Sequence, residues 1–432
     1  MKTSRGKAAQ ARPPRRWRTP PPLTRGSAES LEGMEILREV SGETGVLLWQ
    51  GYRNVMFWAT AEPAERASLF AADAGQRRLD ELFAADVPGE LLDALVAIGR
   101  LMGAPDATSG DTIADACHTI SDWAEAHGHE ATALAFTQGA ALSSPRSASL
   151  ALSVARLARR RGEAPRAETW YRHAIMIARQ VGDWETYGRA YVALGNMARQ
   201  RGNFPLAHRM HIKALRSGKR KGLTPIVGQA SHDLFVIATE TGRNEQAEHF
   251  ARQAFRAYGA EHELLPALAH DIAYFWMEQG YFARALPVIE VLEPLFPDSK
   301  RKLAVRANYI RAAGAAGDRD RFRKMWNETM KLTREPDAQP EVANSLLEMA
   351  RGAASLGEWD RAEQTAERAV TIATERREAA VVVRAESLLD SIRSGRSVEK
   401  AIAARAGRSS DQADALANEM VRSLGSRTAV AV

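Results

Sequence analysis

Apolar residues along this chain recur at three- and four-residue spacing. In YVALGNMARQ, Tyr191, Leu194 and Met197 form a packing stripe interleaved with Val192, Gly195, Ala198 and Gln200, the signature of an amphipathic helix. The same spacing places Leu48, Tyr52, Val55 and Met56 on one face of TGVLLWQGYRNVMFWAT, and Leu91, Leu95, Ile98 and Leu101 on one face of GELLDALVAIGRLM. ERASLFA and QRRLDELFA carry shorter helical patterns. The pattern therefore predicts an all-α protein.

The helical pattern is punctuated by a recurring segment. RRRGEAPRAE, RQRGNFPLAH, TETGRNEQAE, MEQGYFARAL, GAAGDRDRFR and ASLGEWDRAE align on Gly162, Gly202, Gly242, Gly280, Gly317 and Gly357, at intervals of 40, 40, 38, 37 and 40 residues. Five residues after each glycine stand Ala167, Ala207, Ala247, Ala285, Phe322 and Ala362. Twelve after stand Ala174, Ala214, Ala254, Leu292, Thr329 and Ala369. A weaker seventh copy surrounds Gly128, with Ala133 and Ala140 at the same offsets. One repeat then reads as a helix ending near the glycine, a tight turn, and a second helix starting about three residues later. Pro165 and Pro205 mark that start, where a missing N–H costs nothing, and Asp320 and Asp360 favour the same helix end electrostatically.

These marks resemble the tetratricopeptide family: a small residue seven before the turn glycine (Ala155, Gly195, Ala273, Ala350), the glycine, then alanine at plus five and plus twelve. The resemblance covers residues 112–394 and departs from the family in period, since the familiar repeat is about 34 residues long. Phe235 and Ile310 replace the early small residue, and Leu292 and Thr329 the late alanine, so irregular packing is expected in the repeats of Gly280 and Gly317. The fold implied is a right-handed α-solenoid of antiparallel helix pairs. Residues 29–105 would form a helical cap over its first repeat, and 395–432 a C-terminal capping helix through Leu416, Met420 and Leu424, ending in a frayed TAVAV.

Charge changes the picture only at the N-terminus. The formal charge is +6, yet eight of the 59 basic residues lie in 1–28 ahead of the first acidic one, Glu29. The remainder carries 51 − 53 = −2. Residues 1–28 read as a disordered basic tail, and nucleic acid is given little weight as a partner. No apolar run approaches the ~20 residues that a membrane span needs. Cys117 is the single cysteine, which fits a reducing compartment, with the cytoplasm as the expected location.

Candidate chemistry is sparse. His232-Asp233 and His270-Asp271 suggest a metal-dependent phosphohydrolase, but each histidine stands ten residues before its turn glycine. They occupy one repeat position twice, so repetition accounts for them. His208 and His211 lack a matched carboxylate, and no phosphate loop, nucleophile elbow or Cys–His pairing stands out. The expectation is a protein without enzymatic activity, cofactor or metal.

In the repeats this chain resembles, the first helix of each pair lines a concave face, with ligand contacts ten, six and three residues before the turn glycine. Those offsets select Arg156 and Arg159, Asn196 and Arg199, His232, His270 and Tyr274, Arg311, and Arg351, together with Leu152, Val192, Ala307 and Leu347. Guanidinium groups bind carboxylates in bidentate fashion. The reading is a scaffold or adaptor holding an acidic peptide or protein segment in its groove. The alternative is a ligand- or peptide-responsive transcriptional regulator with 29–105 as its output, although the aromatic-rich LLWQGYRNVMFW reads as buried packing and no recognition helix is evident.

Overall fold

The computed structural model describes residues 33–406 and 410–430, with backbone alone for 428–430. The basic tail expected at 1–28 lies outside these residues. The chain divides into two compact units, Met1–Arg201 and Gly202–Val432, a division that falls inside the expected array.

The N-terminal unit begins with four helices that carry no repeat: α1 (Met34–Glu39), α2 (Gly42–Thr60), α3 (Ala74–Ala84) and α4 (Gly89–Gly103). The periodicity of α2 and α4 is the periodicity of burial, since Leu48, Val55, Leu91 and Leu101 are fully enclosed and Tyr52, Leu95 and Ile98 nearly so. ERASLFA departs from its expected helix. Pro63–Ser68 makes only a 3-10 turn with no buried residue, and without an apolar face to bury a single turn has nothing to propagate it. There follow α5 (Gly110–Ala126) and α6 (Glu130–Ser143) around Gly128, α7 (Ala148–Arg160) and α8 (Ala164–Val181) around Gly162, and α9 (Trp184–Gln200). Glu39 at the end of α1 accepts hydrogen bonds from the amides of Ala131 and Thr132, both at 2.8 Å, and from the Thr132 hydroxyl. A carboxylate there meets the unpaired N–H groups and positive end of α6. One apolar cluster runs from Ile36 through Val55 and Leu91 to Ile120 and Phe136. The non-repeat helices thus share a core with the first helix pair.

The C-terminal unit contains α10 (Phe204–Lys221), α11 (Thr224–Glu240), α12 (Asn244–Tyr258), α13 (Leu265–Glu278), α14 (Phe282–Leu292), α15 (Ser299–Ala315), α16 (Arg319–Leu332), α17 (Val342–Ser355), α18 (Trp359–Glu375), α19 (Ala379–Arg393), α20 (Val398–Arg405) and α21 (Asp411–Val430). In each unit, helices adjacent in sequence pack as antiparallel pairs, and first helices also meet one another, as α15 meets α17. Each unit is an α-solenoid of such pairs.

The turn glycines are left-handed, with φ between +67° at Gly242 and +86° at Gly280. At Gly162 the next amide, Glu163, reaches back to the Ala158 carbonyl at 2.9 Å, and Arg243, Tyr281, Asp318 and Glu358 repeat this bond. A positive φ closes the turn and pairs carbonyls that the helix end leaves unpaired. The second helices open two residues after the glycine, one earlier than expected, so Pro165 and Pro205 occupy their second helical position. Both positions lie in the first turn, whose N–H groups have no helical partner.

All twelve residues at plus five and plus twelve, from Ala167 to Ala369, are completely buried. Alanine there lets helices approach closely. The irregularity expected at Gly280 takes the form of a short second helix: α14 has 11 residues where α8 and α10 have 18, and it contains Pro287. Proline removes an intrahelical donor, and buried Leu292 ends the helix in a 3-10 turn, Glu293–Leu295. Thr329 satisfies its buried hydroxyl on the Met325 carbonyl at 2.7 Å.

Candidate functional site

The first-helix residues selected by offset have different environments. Ten residues before the glycine, Leu152, Val192, Ala307 and Leu347 are core residues and not groove contacts. Their apolar side chains pack inward with the rest of the helix stripe. His232 and His270, at the same offset, are half-buried.

In the N-terminal unit, Arg156 and Arg159 are exposed on α7, while Asn196 and Arg199 are half-buried on α9. Arg156 lines a cavity of about 330 Å³ together with His118, Ser121, Glu125, Thr137 and Arg160. Arg160 is paired with Glu125 at 2.9 Å and His118 with Asp122 at 3.1 Å. Burial pushes up the Tyr171 hydroxyl, against the charge and hydrogen bond of Arg159. Asn196 has a buried side-chain oxygen with no protein partner.

In the C-terminal unit the two His-Asp pairs differ: His232 and Asp233 turn to other repeats, whereas His270 Nδ1 stays 3.9 Å from Asp271. His232 Nε2 meets Asp271 of the following repeat at 2.9 Å, His211 lies 3.5 Å from Asp233, and His270 meets the Asn308 amide at 3.0 Å. A ladder of polar contacts thereby joins α10, α11, α13 and α15. Burial would raise the Asp271 carboxyl, but hydrogen bonds and charge from His232 and His270 outweigh it and hold the carboxyl at about 2. His270 and Tyr274 line a second cavity of about 220 Å³ with Asp271, Asn308, Glu341 and Glu348. The Tyr274 hydroxyl is pushed up to about 12 by burial and by Glu348 and Glu278.

Arg311 stands corrected as a groove contact, because its side chain has no exposed surface. Its Nη1 lies 2.7 Å from Glu278 and 3.0 Å from Glu348, and its Nε 3.0 Å from Glu399. Arg351 shares the same carboxylates, with Nε 2.7 Å from Glu399 and Nη1 3.3 Å from Glu348. Burial opposes the charge on Arg311, and Glu348, Glu399 and Glu278 more than restore it, raising its pKa. Burial likewise opposes the charge on Glu278, yet the two arginines hold its carboxyl below the usual range.

The arginines are brought together by backbone contact. A methyl group on Gly314 would sit 2.3 Å from the Gly352 carbonyl oxygen, and one on Gly352 would sit 2.6 Å from that of Ile310. Only glycine permits α15 and α17 to come this close.

The partners Glu278, Glu348 and Glu399 are absent from the set read by offset. Glu278 and Glu348 stand two and nine residues before their turn glycines, off the inspected positions. Glu399 lies beyond the array on α20 and carries no repeat phase. No sequence signal marks it.

In each unit, first helices of a helical repeat line a polar cavity, and in the C-terminal unit they also carry a buried charge cluster. Residues 146–220 match the family model of the tetratricopeptide repeat, spanning α7 to α10. These residues carry tetratricopeptide repeats, and the register of the turn glycines continues outside them. A search of curated protein sequences finds no match.

Among solved structures, a signal-transduction ATPase with a tetratricopeptide repeat sensor from Pyrococcus horikoshii is similar at 13% identity and a TM-score of 0.49, covering 92% of this chain and 64% of that one. The Rap conjugation gene regulator of plasmid pLS20, in complex with the Phr* peptide, gives 14% identity and a TM-score of 0.38, covering 85% and 98%. The TPR2AB domain of yeast Sti1, in complex with pHSP90, gives 13% and 0.25, covering 65% and 99%. Among the described residues no helix is long and apolar enough to cross a membrane.

Proposed function

We propose that this protein is a non-catalytic scaffold or adaptor that holds a peptide or protein segment against the first helices of its repeats. The observation that carries the reading is the cavity around Arg156. An exposed arginine at a repeat-defined position stands beside a recess lined by hydroxyl and aliphatic groups and by Asp122 and Glu125, whose carboxylates pair with His118 and Arg160, and Arg156 is the group there that suits a side chain carrying a carboxylate.

The acidic character of the partner is proposed for the N-terminal unit, where Arg156 and Arg159 are open to solvent. In the C-terminal unit, Arg311 and Arg351 are already occupied by carboxylates of the chain itself. The regulator reading is less well supported. The first four helices are welded to α5 and α6 by a common core and by Glu39, as suits a cap more than a detachable output module.

The test is affinity capture from native lysate with the wild-type chain and with an Arg156→Glu/Arg159→Glu variant of matching circular dichroism. Loss of a captured protein in the variant supports the reading. Identical captured sets would overturn the assignment of these arginines.

A further inference from the structure

The C-terminal segment does more than cover the last repeat. After α19 the chain turns at Gly395, with φ +66°, and lays α20 against the first-helix face at α17. Ser397 caps α20 through the Lys400 amide and meets Ser355 at 3.3 Å. The one buried residue of α20 is Glu399, a carboxylate. Its Oε1 accepts from Arg311 Nε at 3.0 Å and from Arg351 Nε at 2.7 Å. These arginines occupy the same repeat position, six residues before Gly317 and Gly357.

We infer that the face formed by α13, α15 and α17 around Arg311 and Arg351 is a docking surface for a short helix of a partner protein that presents one glutamate to the two arginines, and that α20 is its tethered, displaceable occupant. The inference rests on the scaffold reading above and names a second contact face with the chemistry of its ligand.

Charge balance distinguishes Glu399 from its neighbours. Arg311 and Arg351 supply +2, Glu278 and Glu348 supply −2, and Glu399 takes the cluster to −1. Breaking a buried ion pair is costly when it strands a charge. Withdrawal of Glu399 into water strands none, because the four remaining groups are neutral together.

The grip is also incomplete. Glu399 Oε2 and Arg311 Nη2 are buried without a protein partner, so an arriving carboxylate of better geometry has hydrogen bonds to gain. Removal of α20 withdraws little apolar surface, since no hydrophobic residue of it is fully buried and Val398 packs only partly buried against the core.

The tether is secured independently. Ala413, Leu416, Ala417, Met420 and Leu424 of α21 are buried and α21 packs on α14. Asp414 meets Arg284 at 2.7 Å, and Arg427 reaches the Ala260 carbonyl at 2.6 Å. With α19 and α21 both anchored, a released α20 stays near its site at an effective concentration on the order of millimolar. A partner helix must outcompete it.

The experiment uses the full chain and a fluorescein-labelled synthetic peptide of residues 395–406, followed by fluorescence anisotropy. Glu399→Gln in the full chain weakens the tethered occupant, and binding of the peptide should tighten by about tenfold or more over wild type. Adding Arg351→Gln to that variant should abolish the gain, as should Glu399→Gln in the peptide.

Equal binding to wild type and to the Glu399→Gln chain, with unchanged circular dichroism, would overturn the inference. Should the variants fold poorly, hydrogen exchange on the wild-type chain decides. Amides of α20 should exchange faster than those of α15 and α17, and faster again with added peptide; exchange of α20 only together with α17 would overturn it. Capture through Arg156 and Arg159 is read in the other unit, so this inference can fail while the scaffold reading stands, and the reverse.

Discussion

Arg311 on α15 and Glu399 on α20 lie 88 residues apart in sequence, and in the fold the guanidinium Nε donates to the carboxylate at 3.0 Å. The contact joins the repeat array to the segment beyond it, with neither side chain open to water.

Arg311→Ala should therefore be the most damaging of the arginine substitutions. It leaves Glu348 and Glu399, 2% and 1% exposed, with Arg351 as their remaining cation. A buried pair broken on one side costs about 3–5 kcal/mol. Urea denaturation of the full chain measures the loss, and a change below about 1 kcal/mol, the range of surface pairs, contradicts the buried network.

Restoring the family's alanine at position 292 should destabilise this chain. Leu292 is completely buried, and its truncation in a packed core costs about 2–5 kcal/mol. The reciprocal change, Ala254→Leu, forces extra volume into an equally buried position and costs about 1–3 kcal/mol. Thermal denaturation of the two variants checks both signs.

Two glycine substitutions should move stability in opposite directions. Gly314→Ala drives a methyl group into the Gly352 carbonyl and separates α15 from α17, at about 1–3 kcal/mol. Gly425→Ala meets nothing within 4 Å in α21, and alanine gains about 1 kcal/mol over glycine inside a helix. Melting temperatures below and above wild type, respectively, are the expected result.

Acid should remove a specific contribution from the C-terminal unit. The Asp271 carboxyl is held at about 2 against an ordinary 3.8. A carboxyl depressed in the folded state stabilises it above the unfolded value, and that stabilisation is lost as pH falls through the folded one. The stability difference between wild type and Asp271→Asn should be constant above about pH 5 and shrink between 3.8 and 2. A difference that stays constant down to pH 2 refutes the His232–Asp271 contact.

Cys117 is buried, and burial pushes its thiol up. Because the thiolate is the reactive form, a thiol-specific reagent should label the native chain only after denaturant is added. Prompt labelling without denaturant places Cys117 elsewhere.

The sequence by itself determined the helices, the turns and the small-residue contacts. These depend on neighbours three to twelve residues away. Gly162 needs φ +77° because of its place at a helix end, and Ala167 and Ala174 are buried because one helix presents them on one face. Larger residues at the same offsets, Phe322 and Leu292, are buried too, since the pattern fixes which face turns inward and not what fills it.

Only the tertiary structure decided which polar positions remain open. Arg156 and Arg311 stand at the same offset, yet one is exposed and the other enclosed. The difference is made by Glu278, Glu348 and Glu399, which arrive from α13, α17 and α20. His232 likewise pairs with Asp271 of the next repeat, and not with the adjacent Asp233. Repeat phase specifies where a side chain emerges from its own helix. Whether water or a carboxylate meets it there depends on chain segments tens of residues away, whose placement follows from packing of the whole unit.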